Sequence, residues 1–414
     1  MKRVLLKSLP ITLLAVNLSG DSMTSLLAVW EIIKLHGSLM SLGLCLTAAS
    51  VLPFLLQKLS NGFAFLVRRQ PLTSFRLVRV ISCIGYLACA ALSQSIDLNS
   101  FYVILIGFTI LSTISQQALE MSFLNLAVGG HATAIGASRA IQTSIQIGAM
   151  IGMAAAGYLL DHVGMVGVFV GGAVTMVAGI AVTTGLLQFV VTGARDERPV
   201  AADAPAETRP AMERWVAMNC GLAALGLVTL QLGAYNFLAP LLISSVKIWS
   251  SSAYGGIAAA AAVGSLLSTA QWWTATPSAT AASRYAAIAC FPLFDALMAW
   301  SENLALVALG SFMLGWAVSL TRLVWRGRIF SLARSTAESG EWAARITFIY
   351  QFGRSAFPLF FAVIASQYAT LDIANTRWIM TGAGIGVGVL FCILAAIEKI
   401  ASRFVDLQQP GPAT

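Results

Sequence analysis

Charge is scarce in this chain. Of its 414 residues only 10% are Asp, Glu, Lys or Arg, against 58% hydrophobic, where a soluble domain carries roughly a quarter charged. That excludes a soluble globular fold, and with a mean hydropathy of +0.81 the chain reads as a polytopic membrane protein. Histidine is rarer still. His36, His131 and His162 fall in three different loops, so they assemble no metal site and no proton relay. Cys45, Cys83, Cys89, Cys220, Cys290 and Cys392 sit in apolar stretches and form no CxxC pair; they read as small core residues rather than disulfides or metal ligands. There is no glycine-rich phosphate loop and no Ser/His/Asp set that helix positions would bring together. Enzyme chemistry, ATP hydrolysis and a bound cofactor therefore find no support. The net charge of +8 is no sign of nucleic-acid binding, because basic residues in membrane proteins collect on cytoplasmic loops.

The charge that is present concentrates in one stretch, Gly193 to Arg214, with four arginines, five acids and three prolines. Such a segment buries too little apolar surface to fold alone and reads as a solvated linker. It separates an N-terminal half, 1–192, from a C-terminal half, 215–403, with a short tail at 404–414. A membrane helix needs about 20 mostly apolar residues, and each half holds six such runs. They fall near Leu6–Val29, Ser38–Leu66, Phe75–Gln94, Phe101–Val128, Ile135–Leu160 and Val166–Val191. After the linker they fall near Trp215–Ile243, Ala253–Trp273, Tyr285–Trp300, Leu304–Trp325, Trp342–Gln367 and Trp378–Ile400. The basic start of the chain resembles a secretory signal, but no small-x-small cleavage site follows, so the first run is expected to be a retained helix.

Arginine placement predicts the orientation. With the N-terminus inside, Arg68, Arg69, Arg76, Arg79, Arg139, the linker arginines, Arg284, Arg322, Arg326, Arg328, Arg334 and Arg345 fall on the cytoplasmic side. Lys34, Lys247 and Arg377 remain outside. The asymmetry places both termini in the cytoplasm of an inner-membrane protein. The halves also echo each other: Arg139 precedes Gln146-Ile147-Gly148 in the fifth run, and Arg345 precedes Gln351-Phe352-Gly353 in the eleventh. A six-plus-six repeat is the pattern of many secondary transporters.

Twelve spans, the central linker, a basic loop between spans 2 and 3, and Gly157-Tyr-Leu-Leu-Asp161-His-Val-Gly164 after span 5 together resemble the major facilitator superfamily across essentially the whole chain. The resemblance implies an all-α membrane protein of two six-helix bundles that transports a solute by alternating access. The sequence departs from the family pattern twice. No Asp lies between Asn61 and Arg79, and span 5 keeps Gly148, Gly152 and Ala156-Gly157 without a proline. The small-xxx-small spacing remains and predicts close helix packing.

Charge inside a membrane helix is costly and marks function. Asp21 lies past the midplane of span 1, and the resemblance places spans 1, 4, 7 and 10 around a central cavity. Asp21 is therefore expected to face solute and exchange a proton; the competing reading is a cap beside Gly20. Glu120 follows Gln116 and Gln117 on span 4 and suits substrate contact or a gate, or else a pairing with Arg139. Arg354 lies near the midplane of span 11 beside Gln351 and calls for a carboxylate or an anion. Tyr235 and Asn236 with Gln231 on span 7 offer hydrogen bonds, and Trp316 on span 10 an aromatic wall. Arg68, Arg69, Arg139 and Arg345 are gating or loop candidates. Asp295 on span 9 is assigned a structural role, Lys58 is expected to snorkel to the interface, and Trp30, Trp249, Trp325 and Trp378 read as interfacial anchors. The function expected is proton-coupled export of a small amphipathic or carboxylate-bearing solute. Transport of a siderophore or other metal chelate is the alternative, and a non-transporting sensor or scaffold is the reading of another class.

Overall fold

The computed structural model describes residues 2–35, 38–59, 70–128, 134–193, 211–271, 279–332, 336–368 and 374–408. Among these residues there are twelve α-helices and no strand. The first six are α1 (Lys2–Lys34), α2 (Leu39–Leu59), α3 (Pro71–Ala91), α4 (Leu98–Val128), α5 (Ala134–His162) and α6 (Met165–Gly193). The second six are α7 (Ala211–Leu241, continued by a π turn over Leu242–Val246), α8 (Ser251–Gln271), α9 (Ala279–Trp300), α10 (Leu304–Leu332), α11 (Thr336–Tyr368) and α12 (Ala374–Gln408).

The helices outrun the apolar runs that mark them. The 33 residues of α1 extend roughly 50 Å at 1.5 Å per residue, against a hydrocarbon core of about 30 Å. Polar residues therefore ride on helices instead of ending them. Span 9, expected from Tyr285, begins at Ala279. Span 10, expected to stop at Trp325, continues to Leu332 and carries Arg326 and Arg328 within the helix. Span 12 runs on to Gln408, into what the sequence assigns to the tail. Span 3 starts four residues earlier than expected because Pro71 opens it, a position where the missing N–H costs nothing.

The helices alternate in direction, so one end of the molecule holds both termini; we call the opposite one the far end. Large apolar side chains are turned outward in helical stripes, Leu77, Val80, Ile84 and Leu87 on α3, Val166, Val170, Val174 and Val177 on α6, and Ile385, Val389, Ile393 and Ile397 on α12. Stripes of this kind on three helices mean that the surrounding solvent is hydrocarbon. Six described helices are long and apolar enough to cross a membrane. The protein is a multi-pass membrane protein.

Packing divides the helices into two six-helix bundles, α1–α6 and α7–α12, which meet where α5 crosses α8 and where α2 crosses α11. Glycines set the close approaches. A methyl on Gly148 would lie 2.7 Å from the Ala15 carbonyl oxygen, and one on Gly152 would lie 2.2 Å from that of Ser19, so α5 lies on the backbone of α1. In the second bundle Gly353 of α11 lies against the Thr229 side chain of α7, whose Cγ2 would be 2.2 Å from a methyl there. Each fifth helix thus rests on the first helix of its own bundle through the glycine of the Gln-x-Gly echo.

Candidate functional site: two polar seams and a far-end closure

Asn17, Gly20, Asp21 and Thr24 follow one another at helical spacing, so they share one face of α1. That face turns toward α3 and α6. Arg79 of α3 donates to both carboxylate oxygens of Asp21, Nη1 to Oδ1 at 2.6 Å and Nη2 to Oδ2 at 2.9 Å. The Arg79 side chain is 0% exposed and that of Asp21 12%. Its guanidinium lies 5.1 Å from the Phe75 ring centroid and touches the Met176 sulfur of α6 at 3.4 Å. Two turns on along α3, the Tyr86 hydroxyl donates to the Gly20 carbonyl at 2.8 Å and meets the Thr24 hydroxyl, while the Asn17 amide donates to the Thr175 carbonyl at 3.3 Å. Two expectations are corrected. Arg79 is no loop residue: with the helix beginning at Pro71 it falls two turns inside. Asp21 is no free cavity carboxylate, because a forked ion pair claims both its oxygens.

The second bundle ties its first helix to its third with different chemistry. The Gln231 amide nitrogen of α7 lies 3.0 and 2.9 Å from the two carboxyl oxygens of Asp295 on α9. Both residues are 0% exposed, and the Gln231 carbonyl oxygen has no hydrogen-bond partner. From α12, Gly384 covers the carboxyl so closely that a methyl there would sit 2.5 Å from Oδ2. One helical turn beyond Gln231, Tyr235 is buried against Phe294, ring centroids 5.6 Å apart. Tyr235 and Gln231 therefore face the interior of their own bundle.

The other expected site residues are dispersed. Asn236 is exposed on α7; Gln116 of α4 and Trp316 of α10 are half-buried. Arg345 is exposed on α11, its guanidinium 4.6 Å from the Trp342 ring centroid. Glu120, Arg139, Gln351 and Arg354 lie on α4, α5 and α11, but their side chains are outside the described residues, as are Lys58 and the whole of Arg68 and Arg69.

At the far end the bundles are joined. Asp161, one residue from the end of α5, accepts from the Ser252 backbone N–H at 2.8 Å, the Ser251 N–H at 3.2 Å and the Ser251 hydroxyl. Those donors open α8, so a carboxylate of one bundle caps a helix N-terminus of the other, satisfying N–H groups that have no intrahelical partner. Both serine hydroxyls also donate to the Gly157 carbonyl, at 3.1 and 3.2 Å. The backbones nearly touch: a methyl on Gly157 would lie 2.4 Å from the Ser251 oxygen, and one on Gly255 2.4 Å from the Met153 oxygen. Gly164 has φ +82 and its N–H bonds the Leu159 carbonyl at 2.9 Å, the left-handed helix ending that glycine favours. That turn releases α5 just beyond Asp161. Trp30 of α1 stacks on Tyr254 of α8 at 5.9 Å, and Gly43 of α2 lies against Ala362 of α11. Trp30 is 8% exposed, so it is a cross-bundle contact and not the expected interfacial anchor. Elsewhere on this end Asp97 caps α4 through Ser100, whose hydroxyl and backbone N–H hold its carboxyl below the usual carboxylate range. Burial pushes the Lys247 ammonium below its ordinary value, and the Glu302 carboxylate pulls back.

Near the terminal end Arg284 of α9 and Arg328 of α10 both pair with Glu398 of α12. Both guanidinium groups lie over the Trp325 ring, 5.1 and 5.2 Å from its centroid. Trp325 is 0% exposed, a packed core residue between two cations, and not the anchor its position near a span end implies.

No family model matches the sequence, and no curated protein matches it. Solved structures do. The nucleoside transporter NupG superimposes with a TM-score of 0.61 at 13% identity, covering 93% of this chain and 97% of that one. A bacterial homolog of the human lysosomal transporter Spinster, inward-facing and unoccupied, gives 0.62 at 14% identity and 98% of both chains. The human organic anion transporter MFSD10 gives 0.56 at 15%, covering 92% of this chain and 98% of that one. The architecture is the twelve-helix major facilitator fold that the sequence resembles.

Proposed function

We propose that this chain is a secondary active transporter of an inner membrane, moving a small organic solute by alternating exposure of a site between its bundles. Both termini and the 193–214 linker lie in the cytoplasm, and the solute is an amphipathic or carboxylate-bearing molecule carried outward in exchange for protons that move down their gradient. One observation carries the reading. The cross-bundle contacts described above, the Asp161 cap, the Gly157 and Gly255 crossing, the Trp30–Tyr254 stack and the Gly43 contact, all sit at one end. Two stiff bundles joined at one end by bonds that can be broken form a rocking device. Arg214, Arg284, Arg322, Arg326, Arg328 and Arg345 on the opposite end support a cytoplasmic orientation for it. The chains it resembles include, by name, a nucleoside transporter and an organic anion transporter, and an organic solute is in keeping with both. Asn236, Gln116 and Trp316, with Glu120, Gln351 and Arg354, are the residues proposed to meet it.

The test is flux in proteoliposomes under an imposed pH gradient, with labelled nucleosides, dipeptides, organic anions and lipophilic cations. Trp30→Cys and Tyr254→Cys are introduced together after replacing the six native cysteines, and a short bismaleimide then joins α1 to α8. Flux of one solute class is expected before cross-linking and at least a tenfold loss after it. Undiminished flux through fully cross-linked protein would show that the far end does not open during transport.

A further inference from the structure

Arg322 of α10 is half-buried, and among the described residues no Asp or Glu pairs with it. Arg79, Arg284, Arg328 and Arg377, by contrast, each meet a carboxylate. The Arg322 Nε atom is buried with no hydrogen-bond partner. Its guanidinium lies over the ring of Tyr350 on α11, 5.0 Å from the centroid. A guanidinium does not shed its charge, so inside a membrane protein it is costly until something anionic meets it. The face of the tyrosine ring offsets part of that cost. It leaves the N–H edge of the fork for another acceptor.

The packing of α10 shows where that edge lies. Ser311, Gly315 and Arg322 recur at helical spacing and share one stripe. The Ser311 hydroxyl donates to the Ile257 carbonyl at 2.7 Å and Gly315 lies against Ala261, so the stripe runs along α8. Thr321 turns instead to Ser283 of α9, and Trp325 and Ile329 to Gly221 of α7. From the α8 side Arg322 reaches over to Tyr350 on α11. Those two helices are the ones through which this bundle chiefly meets the first. The Arg322–Tyr350 bridge therefore spans the face turned toward the other bundle. In the first bundle the matching helix is α4, and Gln116 lies as far from its start at Leu98 as Arg322 lies from Leu304. That distance is roughly 27 Å at 1.5 Å per residue, so amide and guanidinium stand at one level on corresponding helices. Arg326 follows one turn nearer the terminal end and is exposed, adding positive potential to an approach from that side.

We propose that Arg322, steadied by the Tyr350 ring, takes the carboxylate of the transported solute. The solute is then an organic anion whose carboxylate receives a forked pair of N–H bonds, with no covalent bond made or broken. The proposal rests on the transporter reading for its solute and names the group that selects it. An arginine held for a ligand, and not for the fold, has a signature of its own: losing it costs affinity and leaves stability intact.

Isothermal titration of the purified protein with benzoate, indole-3-acetate and succinate, each beside its neutral amide, tests the site. At least one carboxylate is expected to bind the wild type, and its amide at least tenfold more weakly. Arg322→Gln should lose that affinity at least tenfold while its unliganded melting temperature stays at or above the wild-type value. Arg322→Lys keeps the charge without the fork and should fall between the two, and Tyr350→Leu should weaken binding severalfold. No binding of any carboxylate by the wild type, a carboxylate no better than its amide, or binding undiminished in Arg322→Gln overturns the site. Melting several degrees lower in Arg322→Gln would make the arginine structural, with the same consequence. Inorganic phosphate binding as tightly as the best carboxylate overturns the choice of ligand. Flux on the same preparations separates the two readings. Flux of a neutral or cationic solute undiminished in Arg322→Gln sinks the site and leaves the transporter; carboxylate binding that needs Arg322, with no flux of any solute class, sinks the transporter alone.

Discussion

Asp21→Asn is expected to destabilise the protein by about 3–5 kcal/mol, the cost of leaving a buried guanidinium without its partner. Arg79 is fully buried, both its terminal nitrogens donate to Asp21, and its Nε atom has no other acceptor. An asparagine returns one oxygen and no charge. The melting temperature in detergent should fall by many degrees, and Arg79→Met should cost a similar amount by stranding the carboxylate. The double variant, Asp21→Asn with Arg79→Met, should recover a large part of the loss, because a pair removed together leaves no stranded ion. An additive double variant would show that the two residues act independently. Unchanged melting in Asp21→Asn, with pH-driven flux abolished, would return Asp21 to the proton-exchanging role its place on α1 first implies.

Gly157→Leu is expected to abolish the closed far end. Even a methyl at this position would come within 2.4 Å of a backbone oxygen on α8, and backbone cannot step aside as a flexible side chain can. Spin labels at the exposed Val163 and Ile248 should report a far-end distance that lengthens to a single open population, and flux should fall below a tenth of the wild type. Asp161→Ala tests the cap with a gentler hand. Losing a helix cap costs about 0.5–2 kcal/mol, which converts to a shift of about 2- to 30-fold toward the open population. A Gly157→Leu protein that keeps the short distance would mean that α5 and α8 part elsewhere.

The fold was legible because its signal is redundant. Twelve apolar runs, a polar divider and a sided distribution of arginine all point the same way, and no single residue decides the outcome. The pairings were not legible. Arg79 lies four residues into the expected span 3, and only the helix start at Pro71, which the apolar run does not mark, puts it deep enough to reach Asp21. Asp295 and Gln231 are 64 residues apart, and nothing in their spacing predicts that they face each other; two lone polar residues on separate apolar runs were the available hint. Asp161 stands in a sequence read for family resemblance, yet its partner is a helix start 90 residues on. Such contacts depend on which helices become neighbours, and that is settled by glycine-to-backbone crossings that a hydropathy pattern does not encode. Trp30 and Trp325 show the same limit, since a tryptophan near a span end can lie at an interface or inside a bundle.

The Asp161 cap also bears on how the molecule is made. The first six helices leave the ribosome before α8 exists, so the acceptor for its first turn is already in the bilayer when Ser251 and Ser252 arrive. The second bundle finishes its own secondary structure on a surface supplied by the first. Biogenesis therefore has a preferred order, and a second bundle synthesised alone would insert with a frayed α8 and unmet donors at its start. Supplying residues 1–193 as a separate chain should mend it. The bonds that join the two bundles at the far end would then be the same bonds that tell a newly inserted helix where to begin.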